Sequence, residues 1–304
     1  MHDLIIIGAG PAGITAAVYA ARKNMNLLVI SKDVGGQAAI SGDVENYTGY
    51  QFITGPELAL KFEEHMRGFD IALKENEEAV AVEKTGDKVT VKTNKAVYEA
   101  KSVIIASGKR SRELNVPGEK EFRNRGLTYC ATCDAPLFKG KEVAVIGGGN
   151  SALDAGLQLI KIASRVYMIN IGPDFTGDAV MRKKVGESGM VTVFSDSKIT
   201  AILGDKMVTG IRINRQSKEQ ELAVQGVFVE IGLIPNSEFA EDIEKNRYKE
   251  IKINSSNETN IPGIFAAGDV TDIPEKQIII AAGEGAKAAL SAFGYMARTS
   301  WPAK

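Results

Sequence analysis

Leu4-Ile5-Ile6-Ile7-Gly8-Ala9-Gly10-Pro11-Ala12-Gly13 opens the chain and settles its architecture. Four apolar residues in a row read as a strand buried on both faces, and the glycine turn leads into an alanine-rich run from Ile14 to Lys23 that reads as a helix. Gly8, Gly10 and Gly13 satisfy G-x-G-x-x-G in the context it requires. The first glycine makes the tight turn, the second lets the backbone approach a pyrophosphate, and the third permits close helix packing; the helix N-terminus faces the anion. The following strand, Asn26 to Ser31, should end on an acid for a ribose. It ends instead on Ser31 and Lys32, with Asp33 just beyond.

The same grammar recurs from Lys141. Glu142-Val143-Ala144-Val145-Ile146 is the strand, Gly147, Gly149 and Ala152 fill the fingerprint positions, and a helix follows. Between the two copies, Lys101 to Arg110 reads as another buried strand ending in the small turn Ala106-Ser107-Gly108, and Val116-Pro117-Gly118 reads as an interdomain crossing. Gly263 to Val270 is a further strand running into Gly268-Asp269, with a helical stretch from Ile278 to Met296 after it. The expected fold is α/β, with two nested dinucleotide-binding, Rossmann-like, three-layer domains, the second inserted in the first. The outer domain is expected at 1–112 and 242–304, and the inner one at 113–241.

Both cysteines fall in Tyr129-Cys130-Ala131-Thr132-Cys133-Asp134, just ahead of the second copy. Two thiols separated by two residues can close a small disulfide in which one member attacks a partner and the other resolves the mixed disulfide. A structural zinc would need four ligands, and the remaining candidates, His2 and His65, are far away in sequence. A net charge of −1 with interspersed signs points away from nucleic acid and anionic membranes as partners. Pro11 and the glycines interrupt the low-charge stretch Leu4 to Ala21, so it is read as neither signal peptide nor membrane span, and a cytoplasmic location is expected.

Together these motifs resemble the low-molecular-weight flavin thioredoxin reductases and their relative, the alkyl hydroperoxide reductase flavoprotein. The resemblance is carried by Gly8 to Gly13, Gly35-Gly36-Gln37, Glu45-Asn46-Tyr47, Ala106-Ser107-Gly108, the Cys130/Cys133 motif, Gly147 to Ala152, Ile231 to Asn236, Phe265 to Val270 and Lys276-Gln277. It implies a homodimeric FAD enzyme that reduces thioredoxin. FAD would be held by Gly8, Gly10, Pro11, Ala12, Gly13, Gly36, Gln37, Asn46, Ala106, Gly108, Gly268, Asp269, Lys276 and Gln277. Cys133 resembles the cysteine facing the flavin, Cys130 the one that attacks thioredoxin, and Asp134 the acid that manages protons. Such enzymes turn the inner domain to expose the pair, and Pro117-Gly118 is expected as the hinge. A hydroperoxide reductase role comes with an N-terminal thioredoxin-like extension, which a first fold beginning at residue 3 is read to lack.

The chain departs from the NADPH pattern after its second fingerprint. Val166 to Asp174 holds no arginine for a ribose phosphate, Asn170 stands where an NADH site places an acid, and the usual acidic pair on the inner helix is Leu153-Asp154. Arg182, Lys183 and Lys184 come about ten residues later and read as a solvated face. The departure suggests the ferredoxin-dependent branch, because FAD can take electrons singly and deliver them in pairs. Lys109, Arg110, Arg112, Lys120, Arg123 and Arg125 form a basic stretch suited to an acidic donor, and Trp301 is a candidate cover for the flavin. An NADPH- or NADH-dependent enzyme and a redox sensor without turnover are the competing readings.

Overall fold

A computed structural model describes residues 1–41, 43–44 and 46–299, with backbone alone for Asp43, Thr132, Cys133 and Thr299. Trp301, the candidate flavin cover, lies outside the described residues. The chain divides into two compact units, Met1–Arg110 with Ile234–Lys304, and Ser111–Leu233.

In the outer unit seven strands form one sheet. Ala72–Glu75, Leu27–Val34, His2–Ala9 and Val97–Ile105 lie side by side in parallel, an antiparallel hairpin of Ala79–Thr85 and Lys88–Thr93 extends the edge, and Ile264–Ala266 also pairs with Val97–Ile105. The apolar run works on both faces, as a buried parallel strand must. Leu4 and Ile6 join a core with the helices Pro11–Ala21 and Ile278–Thr299, while Ile5 and Ile7 join a second core with Val82, Val89, Ile243 and Ile251.

The inner unit repeats the plan. Five parallel strands run in the order Leu127–Thr128, Gly226–Val229, Glu142–Ile146, Arg165–Ile169, Val191–Phe194. Val143 and Val145 pack towards the helices Asn150–Leu159 and Ala179–Glu187; Ala144 and Ile146 pack towards an antiparallel meander of Ser197–Gly204, Val208–Arg215 and Lys218–Ala223. Each unit is therefore a sheet covered on both faces.

Two expectations shift. The return to the outer unit falls at 233/234, not 241/242, because Asn236 is tied into the outer unit: its N–H donates to the Gly108 carbonyl at 2.9 Å, and the Ser107 hydroxyl donates to its carbonyl at 2.6 Å. Pro117-Gly118 is not the crossing. Ile202 N–H donates to Pro117 O at 2.9 Å and a Cβ on Gly118 would stand 2.1 Å from Ile202 O, so this segment is packed inside the inner unit.

Candidate functional site

The parallel strands of the outer sheet end together. Ile7 pairs with Ile105 and Ile105 with Ala266, which brings Gly8, Ala106 and Gly268 to one carboxyl edge beside the start of helix Pro11–Ala21. The space there is too tight for side chains. A Cβ on Gly8 would sit 2.3 Å from Ala106 O, one on Gly13 1.9 Å from Gly8 O, and one on Gly268 2.9 Å from the Ala12 Cβ. Gly10 is different. A Cβ there would meet nothing nearer than Gly36 Cα at 3.9 Å, and Gly10 caps the helix without any side-chain hydrogen bond. A side-chain-free seat at an uncapped helix N-terminus suits the pyrophosphate of a dinucleotide such as FAD.

Polar residues from distant segments surround this edge. The Asn46 amide donates to Gln277 Oε1 at 3.0 Å, joining two residues 231 positions apart. Gln37 lies exposed on the short helix Gly36–Ala39, and Gly108 takes a left-handed φ of 65° where the strand turns. Asp269 makes no side-chain hydrogen bond among the described residues, and burial raises its carboxyl above the usual range while Lys276 and Lys109 pull it back. Lys276 is already engaged, its ammonium donating to Thr271 O at 2.5 Å and lying 3.4 Å from Glu250, which Lys109 also contacts at 2.6 Å. Glu250 escaped the sequence reading, since nothing local marks a glutamate that neutralises a lysine 141 positions away. Ser31, at the ribose position, accepts from Ala9 N–H at 3.0 Å and donates to Asp33 O at 2.5 Å, so its hydroxyl is spent on the end of the first strand and on its own strand.

In the inner unit Cys130 is held in a disulfide, and Cys133 is the chain's one other cysteine. Cys130 N–H donates to Thr128 Oγ1 at 3.2 Å, and that hydroxyl donates to Asp134, so the acid reaches the cysteine through one threonine. Ahead of the pair, Tyr129 donates to Glu119 at 2.8 Å. Glu119, 2% exposed, also takes the N–H groups of Leu114 and Asn115, each at 2.6 Å, and Arg123 lies 4.8 Å above the tyrosine ring. Burial and the Glu119 carboxylate push the Tyr129 hydroxyl well above its ordinary value. The approach to Cys130 is thereby anchored on a buried glutamate.

The expected basic stretch is only partly available. Lys109 is half-buried against Glu250, Arg110 bonds Asn236 and Glu238, and Arg123 faces Glu113 at 3.6 Å; Arg112, Lys120 and Arg125 are exposed.

At the inner glycine turn Gly149 is as open as Gly10, with nothing within 4 Å of a Cβ. At the end of the neighbouring strand the polar side chain is already engaged. Asn170 is 5% exposed, its amide nitrogen donates to Gly172 O at 3.1 Å and Asp174 O at 2.8 Å, and its Oδ1 would stand 2.2 Å from a Cβ on Gly148. The loop so organised lies on the turn: Thr176 N–H donates to Gly148 O at 2.8 Å and Asp178 N–H to Asn150 Oδ1 at 2.7 Å. Arg182 reaches the Phe175 carbonyl and Lys183 pairs with Glu187 at 3.8 Å, as on a solvated helix face. Among the described residues no cluster of three or more metal-ligating side chains occurs, and no helix is long and apolar enough to cross a membrane.

Residues 2–287 match the profile of the pyridine nucleotide-disulphide oxidoreductases. An alkyl hydroperoxide reductase component of Pseudomonas putida is 43% identical over 308 residues, covering 99% of this chain and 59% of the relative. An NADH dehydrogenase of Bacillus subtilis is 42% identical over 299 residues, covering 97% of this chain and 59% of the relative. The chain thus spans about three fifths of the length of these two proteins. Among solved structures, thioredoxin reductase of Lactococcus lactis superposes with a TM-score of 0.80 at 34% identity, covering 98% of this chain and 100% of that one. A ferredoxin-flavin thioredoxin reductase of Clostridium acetobutylicum gives 0.56 at 32% identity, covering 98% of each.

Proposed function

The chain belongs to the pyridine nucleotide-disulphide oxidoreductase family, and on that premise we propose that it is an FAD-dependent disulfide reductase. In this reading its Cys130/Cys133 pair reduces the disulfide of a thioredoxin, with reduced ferredoxin in place of NADPH as the electron source. One observation carries the choice of donor. Asn170 spends its amide on Gly172 and Asp174, so the residue positioned to hold a nucleotide ribose holds its own loop instead.

FAD, when bound at Gly8, Gly10, Gly13, Gly36, Gly268 and Asp269, supplies a carrier that is filled one electron at a time and emptied in pairs. The chain's own residues do the rest. In the reduced protein the Cys130 thiolate attacks one sulfur of the partner disulfide; that S–S bond breaks, a mixed disulfide forms, and the partner's other sulfur leaves as a thiolate. The Cys133 thiolate then attacks Cys130, freeing the second partner sulfur and restoring the protein's disulfide. In this reading Asp134, whose carboxylate takes the Thr128 hydroxyl that accepts the Cys130 N–H, is the acid that manages protons during the exchange. The amide contact of Thr128 keeps Cys130 oriented meanwhile.

A second reading keeps NADH as donor. The 42% identical Bacillus subtilis relative is named an NADH dehydrogenase, and the open seat at Gly149 is compatible with a pyrophosphate. Assembly as a homodimer and action in the cytoplasm complete the proposal. An apolar groove on the outer unit lined by Ile14, Val18, Tyr47, Phe62, Ile279 and Ala282 supports the first.

Trapping tests the thiol chemistry. With Cys133→Ser, prereduced protein mixed with oxidised thioredoxin should accumulate a mixed disulfide through Cys130, visible by mass. Absence of that adduct, together with no net thiol release by the unaltered protein, would overturn the proposal.

A further inference from the structure

Glu230 has no part in the chemistry above, yet it touches the same cysteine turn. It directly follows the strand Gly226–Val229, and its N–H donates to Ile146 O at 2.8 Å, which fixes it at the carboxyl edge of the inner sheet. Its carbonyl oxygen backs the glycine turn, 2.2 Å from where a Cβ on Gly147 would stand. From there the side chain accepts the N–H of Ala131 at 3.3 Å. That N–H belongs to the residue immediately after Cys130, two bonds from the cysteine Cα. The amide before the cysteine side chain is held by the Thr128–Asp134 arm and the amide after it by Glu230. Cys130 is therefore bracketed by two carboxyl groups, of which the cysteine motif announces only one.

We propose that Glu230 is a positioning residue for Cys130 and that the charge on its carboxyl sets how readily the reduced Cys130 becomes a thiolate. The inference rests on the reading of Cys130 as the exchanging thiol. Burial pushes the Glu230 carboxyl up to about 7, the Ala131 N–H pulls it back, and Asp154 on the helix Asn150–Leu159 pushes it up again. The other titratable groups on the segments around it are Cys130, Cys133 and Asp134, with Tyr129 ahead of them turned to Glu119 and Glu142, at the far end of the strand Glu142–Ile146, bonded by Tyr167. The glycine turn 147–149 and the strand Leu127–Thr128 contribute no charge. Below neutral pH the neutral carboxyl leaves a Cys130 thiolate unopposed. Above it, the carboxylate disfavours a second anion beside it, so thiolate formation is held back where it would otherwise rise.

Glu230→Gln separates charge from tether, because the amide oxygen still accepts the Ala131 N–H. Alkylation of Cys130 by iodoacetamide, followed by mass from pH 5.5 to 10 in the full flavin-bound chain carrying Cys133→Ser, reports the thiolate alone. The expected result is an apparent thiol pKa lower by roughly one unit in Glu230→Gln, with several-fold faster alkylation near pH 8 and an unchanged melting temperature. Asp154→Asn, which leaves the cysteine turn untouched, should move the Glu230-linked inflection to lower pH. Coincident profiles for Glu230→Gln and its parent would overturn the inference, as would an Asp154→Asn profile that does not move. Alkylation needs no thioredoxin and no electron donor, so this test and the trapping test fail independently.

Discussion

In each dinucleotide fold a polar side chain in or just after the second strand bonds to nearby backbone, but with different consequences. In the outer unit Ser31 ties Ala9 and Asp33, and the turn beside it stays clear. In the inner unit Asn170 gathers Gly172 and Asp174 into a loop that then bonds Gly148 and Asn150. Both units keep an open second glycine, Gly10 and Gly149. On the proposed reading, what separates a seat for a bound dinucleotide from a turn closed on its ribose side is the loop that the side chain recruits.

The largest expected effect comes at the third fingerprint position, where the inner turn already carries Ala152. Gly13→Ala would put a Cβ 1.9 Å from Gly8 O, so the outer turn has to open. Loss of about 3 kcal/mol or more, with loss of flavin absorbance, is expected; Ala152→Gly should cost only about 1 kcal/mol. Equal tolerance at the two positions in denaturation experiments would break the comparison. Asn170→Glu removes both donors from the loop and restores an acid at the strand end. Flavin reduction by NADH, measured in stopped flow, should then rise about tenfold, the worth of one charged hydrogen bond.

A smaller effect concerns Asp269, which burial holds above the usual carboxylate range. Because folding disfavours its charged form, its contribution to stability is fullest below the unfolded carboxylate value and is lost as pH rises through the folded one. Flavin-free Asp269→Asn should therefore melt higher than its parent at neutral pH, and the gap should close on acidification. A constant gap across pH would assign the effect to packing instead of charge. The smallest change is expected for Asp178→Ala. Its carboxylate caps the helix Ala179–Glu187 at Val180 N and Met181 N, and losing it should cost about 1 kcal/mol while loosening the loop over the inner turn.

Both strand–turn–helix copies were legible in the sequence because period, glycine spacing and helix length agree locally. The places that escaped are long-range. Residues 234–241 read as inner-domain polar chain, yet Asn236 is bound to Ser107 and Gly108, more than a hundred positions away. Pro117-Gly118 looks like a linker until the strand Ser197–Gly204 is laid against it. Glu230 and Glu250 carry no local signature, since each is defined by a partner from another part of the chain. Asn170, in contrast, stands out in the sequence as a departure from a motif, and only the fold shows where its amide goes.

The most direct test of the sealed inner turn is anaerobic reduction of the bound flavin, followed by absorbance, with reduced ferredoxin, NADH and NADPH offered separately and thioredoxin as final acceptor. Fast reduction by ferredoxin, with little by either nucleotide, is the predicted result. Fast reduction by NADH or NADPH in the unaltered protein would contradict it, because Asn170 and its loop would then have to yield to a ribose without cost.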